Sequence, residues 1–354
     1  MKMKTDNAKI KSGLITSVIF GSILIFAVIT VLIGVSFGSK NINMADCLHI
    51  ILGKTFHFDL DENLSRDVTI LWNMRMPRML LALAAGGGLA LGGCAMQALT
   101  QNVLADPYVL GISSGASAMV SLAFLIFGGT AIISYVTPVF AFAGALLAMF
   151  LVYGIGMISG NSSTNNLILT GMAISVILNA ASNFIITLLP NAFIMESAAM
   201  WLWGSLSGAR WYNIAFPIFV SMISLIVLSV AGDRFDLLSL GEETAVTLGV
   251  STKIIRRFTI IIVSLLIGAI ISASGLIGFV GFIIPHTCRI IFGSKNRKLM
   301  LFSYIIGGIF LAWMDILSRT LLAPKEIAVG IFSAFCGGPF FIYLLYRKNK
   351  TGRI

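Results

Sequence analysis

The 354-residue chain is 58% hydrophobic and only 11% charged, with a mean hydropathy of +0.98. Soluble globular domains have about 25% charged residues, so this composition excludes an ordinary soluble protein. It predicts an all-α, polytopic protein in a lipid bilayer. The net charge of +10 follows the distribution of basic loops across a membrane, and it does not predict a nucleic-acid partner.

Ten segments approach the length of about 20 apolar residues that a membrane-spanning helix needs. They predict a single transmembrane domain, 1–354, with about ten transmembrane helices. The third and eighth segments are short and rich in glycine. The first is too long for a cleavable signal peptide and has no small-residue cleavage site. The segments lie near 14–37, 77–100, 108–128, 133–158, 166–189, 212–231, 256–273, 276–292, 299–322 and 327–346.

The positions of the basic residues predict the orientation. Most of the 24 Lys and Arg residues fall at the two termini and in the loops near 234, 253–257 and 289–298. With ten spans, all of these lie on one side. The positive-inside rule therefore predicts that both termini and the segment 233–253 are cytosolic, and that 38–74 is an external loop.

The segment 233–253 is a polar island between two long apolar runs. Ser239 and Glu242 have the spacing of a capping box, Glu243 adds a second acid near the helix start, and Gly249 can end the helix in a left-handed conformation. This pattern predicts a short, well-capped helix that docks a partner; an ordinary loop helix without a partner is the alternative. The apolar residues of its predicted face are Leu238, Ala245 and Leu248.

Two arginines and a run of glycines mark the second span. Arg75 and Arg78 flank Pro77, which favours the first turn of a helix and leaves two cations at the external membrane edge. A small-residue face follows, which allows close approach of neighbouring helices. Its members are Gly86, Gly87, Gly88, Gly92 and Gly93.

Polar side chains recur at helical intervals in the fifth span. Polar groups at membrane depth are costly unless they face protein or water, so this stripe predicts the lining of a wet translocation pathway. Hydrogen bonding between helices is the alternative. Asp315 is the one acidic candidate within the spans, which argues against a proton relay. The stripe consists of Ser175, Asn179, Ser182, Asn183 and Thr187.

No pattern in the sequence predicts catalysis or a bound metal. The four cysteines contain no CxxC pair, and the histidines have no ligand-like spacing. Gly53-Lys54-Thr55 resembles the end of a phosphate-binding loop, but Leu48 stands where that motif needs glycine. The sequence therefore predicts no metal site, no cofactor in this chain and no enzymatic activity of its own.

Several motifs occur in an order that resembles a known family. RMPR (75–78) and QNVLADPYVLGISSGA (101–116) are followed by WLWGSLSGARW (201–211), LLSLGEETAVTLGV (237–250) and GLIGFVGFIIPHTCRIIFGSKNRKLM (275–300), and a last block spans 315–339. Together they resemble the FecCD-type permeases. These are the membrane subunits of binding-protein-dependent ABC importers for iron–siderophores, haem and cobalamin.

The resemblance implies three partners besides the lipid bilayer: ATPase subunits that bind ATP and Mg²⁺, an extracytoplasmic solute-binding protein, and a second permease subunit, either the same chain or a paralogue. It also implies that 233–253 couples the permease to the ATPase. The coupling residues would be Leu238, Ser239, Gly241, Glu242, Glu243, Leu248 and Gly249.

The resemblance further implies that Arg75, Arg78 and Arg319 dock the binding protein. Two alternatives remain open: Arg75 and Arg78 as anchors to lipid headgroups, and Arg319 paired with Asp315 four residues earlier. Charges at such a rim steer association more than they add affinity.

The predicted function is that of a permease subunit of an ABC importer, which moves an iron–siderophore across the cytoplasmic membrane of a bacterium. Haem and cobalamin are the alternative substrates. A secondary transporter would need ion-coordinating acids in its spans, and a membrane enzyme would need a clustered acid–base or metal constellation.

Overall fold

The computed structural model describes residues 2–38, 40–58, 62–158 and 164–351. All regular structure in this part of the chain is helical, which confirms the predicted all-α class. Besides 3-10 turns at Glu62–Leu64 and Pro107–Leu110 and a π-helical stretch at Thr69–Arg75, the described residues form fifteen α-helices. They are α1 (Lys2–Ser36), α2 (Met44–Phe56), α3 (Ser65–Val68), α4 (Met76–Thr100), α5 (Ile112–Phe127), α6 (Ile133–Ile158), α7 (Thr164–Thr187), α8 (Ala192–Leu202), α9 (Trp211–Val230), α10 (Gly232–Leu238), α11 (Glu242–Thr247), α12 (Thr252–Ser274), α13 (Val280–Phe292), α14 (Asn296–Thr320) and α15 (Val329–Thr351).

Seven of the ten predicted spans coincide with helices that are long and apolar enough to cross a membrane. The other three, 108–128, 276–292 and 327–346, coincide with shorter apolar stretches at 112–127, 280–292 and 329–343. The first two are short because glycine-containing turns with positive φ precede them, at Gly111 and at Gly275 and Phe279. The seven long spans are Ser17–Ser36, Ser65–Thr100, Ile133–Gly156, Asn166–Thr187, Trp211–Val230, Thr252–Ser274 and Asn296–Thr320.

The predicted external loop 38–74 is largely helical where the structure describes it; residues 39 and 59–61 lie outside the described residues. It contains α2 and α3, and a π-helical stretch joins α3 to α4. The second span therefore begins near Ser65, earlier than predicted. Pro77 lies in the first turn of α4, where its missing N–H fits the change from π-helical to α-helical hydrogen bonding.

Helix α4 lies at the centre of the bundle, and all but a few of its residues are buried. It packs against α9, α12, α13 and α14. A Cβ atom on Gly86 would lie 2.2 Å from the carbonyl oxygen of Gly307, and one on Gly93 would lie 1.8 Å from that of Gly281. The predicted small-residue face is therefore confirmed, because any larger side chain would separate the helix backbones.

Candidate functional site

Residues 233–253, which we call the coupling segment after the role predicted for it, contain most of α10 and all of α11. These two helices meet at a turn in which Gly241 has a φ of 109°. Ser239 ends α10, and its hydroxyl donates to the carbonyl of Asp236 at 2.6 Å. The predicted capping box is therefore wrong. Glu242 is the first residue of α11, so Ser239 lies too far back to cap that helix.

The predicted end of α11 is confirmed. Gly249 has a φ of 85°. The N–H of Val250 donates to the carbonyl of Ala245 at 2.9 Å, and the N–H of Gly249 donates to that of Val246 at 2.9 Å. This pair of bonds is the Schellman motif, which satisfies the last carbonyls of a helix.

The predicted apolar face of the segment is divided between the core and the surface. Leu238 and Ala245 are buried against this chain, so they are not available to a partner. Leu248 is 56% exposed, and Leu240 (62%) and Val246 (56%) are exposed with it. We call Leu240, Val246 and Leu248 the exposed apolar patch.

The acidic residues of α11, Glu242 and Glu243, are both exposed. Glu242 accepts a hydrogen bond from Arg256 Nη2 at 2.9 Å. Because an exposed ion pair of this kind contributes little to stability, the carboxylate can exchange its partner at small cost.

Three contacts anchor the coupling segment to the bundle. The carboxylate of Asp236 accepts from the backbone N–H and the side-chain amide of Asn296, at 2.9 and 2.8 Å. Gln101, at the end of α4, donates to the carbonyl of Leu238 at 2.5 Å, and Phe235 is fully buried. The sequence does not predict these anchors, because the hydrogen bonds join residues that are distant in the chain. These contacts connect the segment to α4 and α14.

Two of the three arginines predicted to face a binding protein, Arg75 and Arg78, are buried around the start of α4, at the opposite end from Gln101. The Nε atom of Arg78 lies 2.8 Å from Asp315, and its Nη1 atom lies 2.9 Å from Glu326. Arg75 donates to the carbonyls of Val35 and Ser36 at 2.8 and 2.9 Å. Both side chains are therefore buried within this chain and are not exposed at a rim.

Arg319 completes this arginine cluster, which comprises Arg75, Arg78, Arg319, Asp315 and Glu326. The Nε atom of Arg319 lies 3.5 Å from Asp315 on the same helix, which is the alternative pairing weighed from the sequence. Its Nη2 atom donates to the carbonyl of Gly34. Since Asp315 is fully buried between two arginines, the cluster joins α1, α4 and α14. A docking role for these arginines stays a prediction, and their geometry favours a structural role.

The polar stripe of α7 also divides into two parts. Ser182 is buried, and its hydroxyl lies 2.8 Å from that of Ser121 on α5. This is the interhelical hydrogen bond that the sequence left open, and Ser175 is half-buried on the same side. Asn179, Asn183 and Thr187, spaced four residues apart, are exposed together. They form one edge of the exposed face of α7.

The sequence and fold of the whole chain match one known family. The model of the FecCD transport family matches residues 23–347. The chain belongs to the FecCD transport family. It is therefore the membrane permease of an ABC importer, as the motifs predicted, and a multi-pass membrane protein.

Individual FecCD relatives cover most of the chain. It is 32% identical over 328 residues to the "Probable iron chelatin transport system permease protein" of Helicobacter pylori, covering 92% of this chain and 98% of that one. It is 36% identical over 280 residues to the "Cobalamin import system permease protein BtuC" of Halobacterium salinarum, covering 79% and 74%. A metal-chelate type ABC transporter solved in an inward-facing conformation matches with a TM-score of 0.81 and 26% identity, covering 94% and 99%.

Metal-binding groups are not concentrated anywhere in the described part of this FecCD permease: no three His, Cys, Asp or Glu side chains lie close enough to hold an ion. The four cysteines are free thiols. The prediction that the chain carries no cofactor stays a prediction.

Proposed function

We propose that this FecCD permease moves an iron–siderophore complex across the cytoplasmic membrane of a bacterium, driven by ATP hydrolysis in separate ATPase subunits. The coupling segment carries the proposal. Its exposed apolar patch has no partner within the described chain, while its other face is anchored to α4 and α14. Such a patch suits a binding surface whose motion must reach the transmembrane helices.

The proposed partner at this patch is an ATPase subunit, which binds ATP and Mg²⁺. Leu240, Val246 and Leu248 supply apolar contact, and Glu242 and Glu243 supply charge. Closure of the ATPase dimer would pull on α10 and α11, and the anchors at Asp236 and Leu238 would pass this motion to the bundle.

The iron–siderophore assignment rests on relatives. The Helicobacter pylori permease is named for iron chelatin and the solved transporter for metal chelates, and both match over more than 90% of this chain. Cobalamin is the second candidate, because the Halobacterium salinarum relative is named for its import, although the match covers less of both chains.

We further propose a single domain, 1–354, that crosses the membrane about ten times with both termini in the cytosol. The short apolar helices at 112–127, 280–292 and 329–343 would complete the crossings that seven long spans leave open. The external end would then carry the arginine cluster. That cluster would fix the shape of the surface which an extracytoplasmic solute-binding protein meets.

The translocation pathway in this proposal lies between two permease subunits, which are either two copies of this chain or this chain and a paralogue. The exposed edge Asn179, Asn183 and Thr187 of α7 would line it. An amide-rich surface suits a wet pathway, because polar side chains at membrane depth need water or protein partners.

Uptake by reconstituted vesicles tests the proposal. The permease is assembled with its ATPase, and a loaded binding protein is added outside. We expect labelled ferric siderophore to accumulate only when ATP is enclosed in the vesicles, on the side of the ATPase, and the binding protein is present outside. Accumulation of cobalamin instead would select the second candidate, and uptake driven by an ion gradient without ATP would show a secondary transporter.

A further inference from the structure

A polar cavity of about 370 Å³ lies at the end of the bundle that carries the coupling segment. Its walls come from the end of α4, from α10 and the turn that follows it, and from the connection between α13 and α14. Its lining includes the polar residues Gln97, Gln101, Asp236, Arg289, Lys295 and Asn296.

The charges around the cavity are unbalanced. Arg289 and Lys295 contribute two cations, and among the described residues neither has a carboxylate within 4.0 Å. The Nε and Nη2 atoms of Arg289 are buried and have no acceptor among the described residues. Asp236 is the one carboxylate among the described lining residues, and its Oδ1 atom is already bound by Asn296. Buried N–H donors without acceptors are costly, so the cavity favours an anion.

The cavity also offers acceptors that no donor satisfies. Gln97 is 2% exposed and Asn296 is 3% exposed. The side-chain oxygens Oε1 of Gln97 and Oδ1 of Asn296 are buried, and no donor in the described part of the chain reaches them. The orientation of the Asn296 amide is fixed, because its nitrogen donates to Asp236. A ligand that fits this lining must therefore accept from arginine and lysine and also donate to carbonyl oxygens.

We propose that this cavity binds a small protonated oxyanion of the phosphate class. Hydrogen phosphate carries ionised oxygens for Arg289 and Lys295, and a P–OH group that can donate to Gln97 or Asn296. Sulfate and ionised carboxylates have similar charge but no hydroxyl. Because Asp236 and Gln101 also hold the coupling segment, the bound anion links α13 and α14 to α10. The inference is independent of the transported substrate.

The test is equilibrium binding of inorganic phosphate to the permease–ATPase complex in lipid nanodiscs, measured by calorimetry without nucleotide. We expect saturable binding, weakened about tenfold or more in Arg289→Gln and in Lys295→Gln, since each removes a charge-assisted hydrogen bond. Lys298→Gln is the matched control, because Lys298 is an exposed cation in the first turn of α14 that does not line the cavity. Sulfate should bind about tenfold more weakly than phosphate.

A second measurement covers the case in which Arg289→Gln does not fold. Hydrogen exchange of residues 232–248 should slow on addition of phosphate in the wild type and in Lys298→Gln, but not in Lys295→Gln, whose side chain is exposed. Absence of saturable binding, equal loss in Lys298→Gln, or equal affinity for sulfate would overturn the proposal. Binding to the isolated permease but not to the complex would also overturn it, since a carboxylate of the ATPase would then fill the cavity.

Discussion

Charged side chains are buried in ion pairs at one end of α4 and exposed to solvent at the other. At its first turn, Arg78 is buried and shared between Asp315 and Glu326. At its last turn the helix meets the coupling segment, where Glu242 stays exposed in its pair with Arg256. Inside the bundle an ion needs a fixed counter-ion, so the first group holds helices together. In solvent a pair is weak, so the second group can exchange partners.

The largest expected effect comes from removing the buried carboxylate of Asp315, which Arg78 and Arg319 share. Asp315→Asn leaves Arg78 and Arg319 without their common carboxylate and should lower the free energy of unfolding by about 3–5 kcal/mol. Thermal unfolding of the purified permease measures it. Glu326→Gln is the control within the same cluster: its carboxylate is 46% exposed, and its loss should cost less than about 1 kcal/mol. Equal losses would show that burial does not distinguish the two acids.

At the exposed end, Leu240→Asp combined with Leu248→Asp should leave the permease folded. It should reduce stimulation of the ATPase by the loaded binding protein at least about tenfold, because two unpaired charges would be buried in the interface. Leu238→Asp is the contrasting variant: Leu238 is buried against this chain, so its replacement should reduce the yield of folded protein. Normal stimulation in the double variant would remove the patch from the proposed interface.

The same contrast can be tested within α7. Asn179→Trp should block uptake without loss of stability, because a bulky side chain obstructs the proposed pathway. Ile177→Trp is the control: it is also exposed, but it lies about 160° around the helix from Asn179. Ser182→Ala, which breaks the bond to Ser121, should cost about 0.6 kcal/mol and spare uptake. Equal block by both tryptophans would place the pathway elsewhere.

A smaller effect is expected at the end of α11. Gly249→Ala places a side chain at a φ of 85°, which should cost about 1 kcal/mol of local stability. Faster hydrogen exchange of residues 242–250 would report it. Gly208→Ala is the control. At both glycines an added Cβ atom would have no neighbour within 4 Å, but Gly208 has no positive φ, so the change should leave hydrogen exchange in its own loop unchanged. Unchanged exchange in Gly249→Ala would mean that the Schellman motif does not hold this helix.

The smallest expected effect tests whether Ser239 caps α11, as the sequence predicted, or ends α10, as in the structure. Ser239→Ala should change local stability by less than about 0.5 kcal/mol, since Ser239 ends α10 and does not cap α11. A true N-cap serine would cost about 1 kcal/mol. Hydrogen exchange of α11 in this variant distinguishes the two values.

The sequence by itself determined the features that depend on neighbouring residues. Apolar runs located seven long spans. The other three predicted spans coincide with shorter helices, and the sequence of two of them was already short and rich in glycine. Gly249 ended α11 as predicted, because a left-handed C-cap needs only local geometry. The glycine face of α4 and the FecCD motifs were equally legible, since both lie in continuous stretches of chain.

Only the tertiary structure decided which polar and charged groups are buried. Arg78 and Asp315 are 237 residues apart, and Gln101 and Leu238 are 137 apart, so no local pattern predicts that they meet. The same holds for Leu238 and Leu248, which share a predicted face but have different surroundings. Burial depends on what distant helices bring to a side chain, and in a low-dielectric interior that burial decides whether a charge joins helices or remains free to bind a partner.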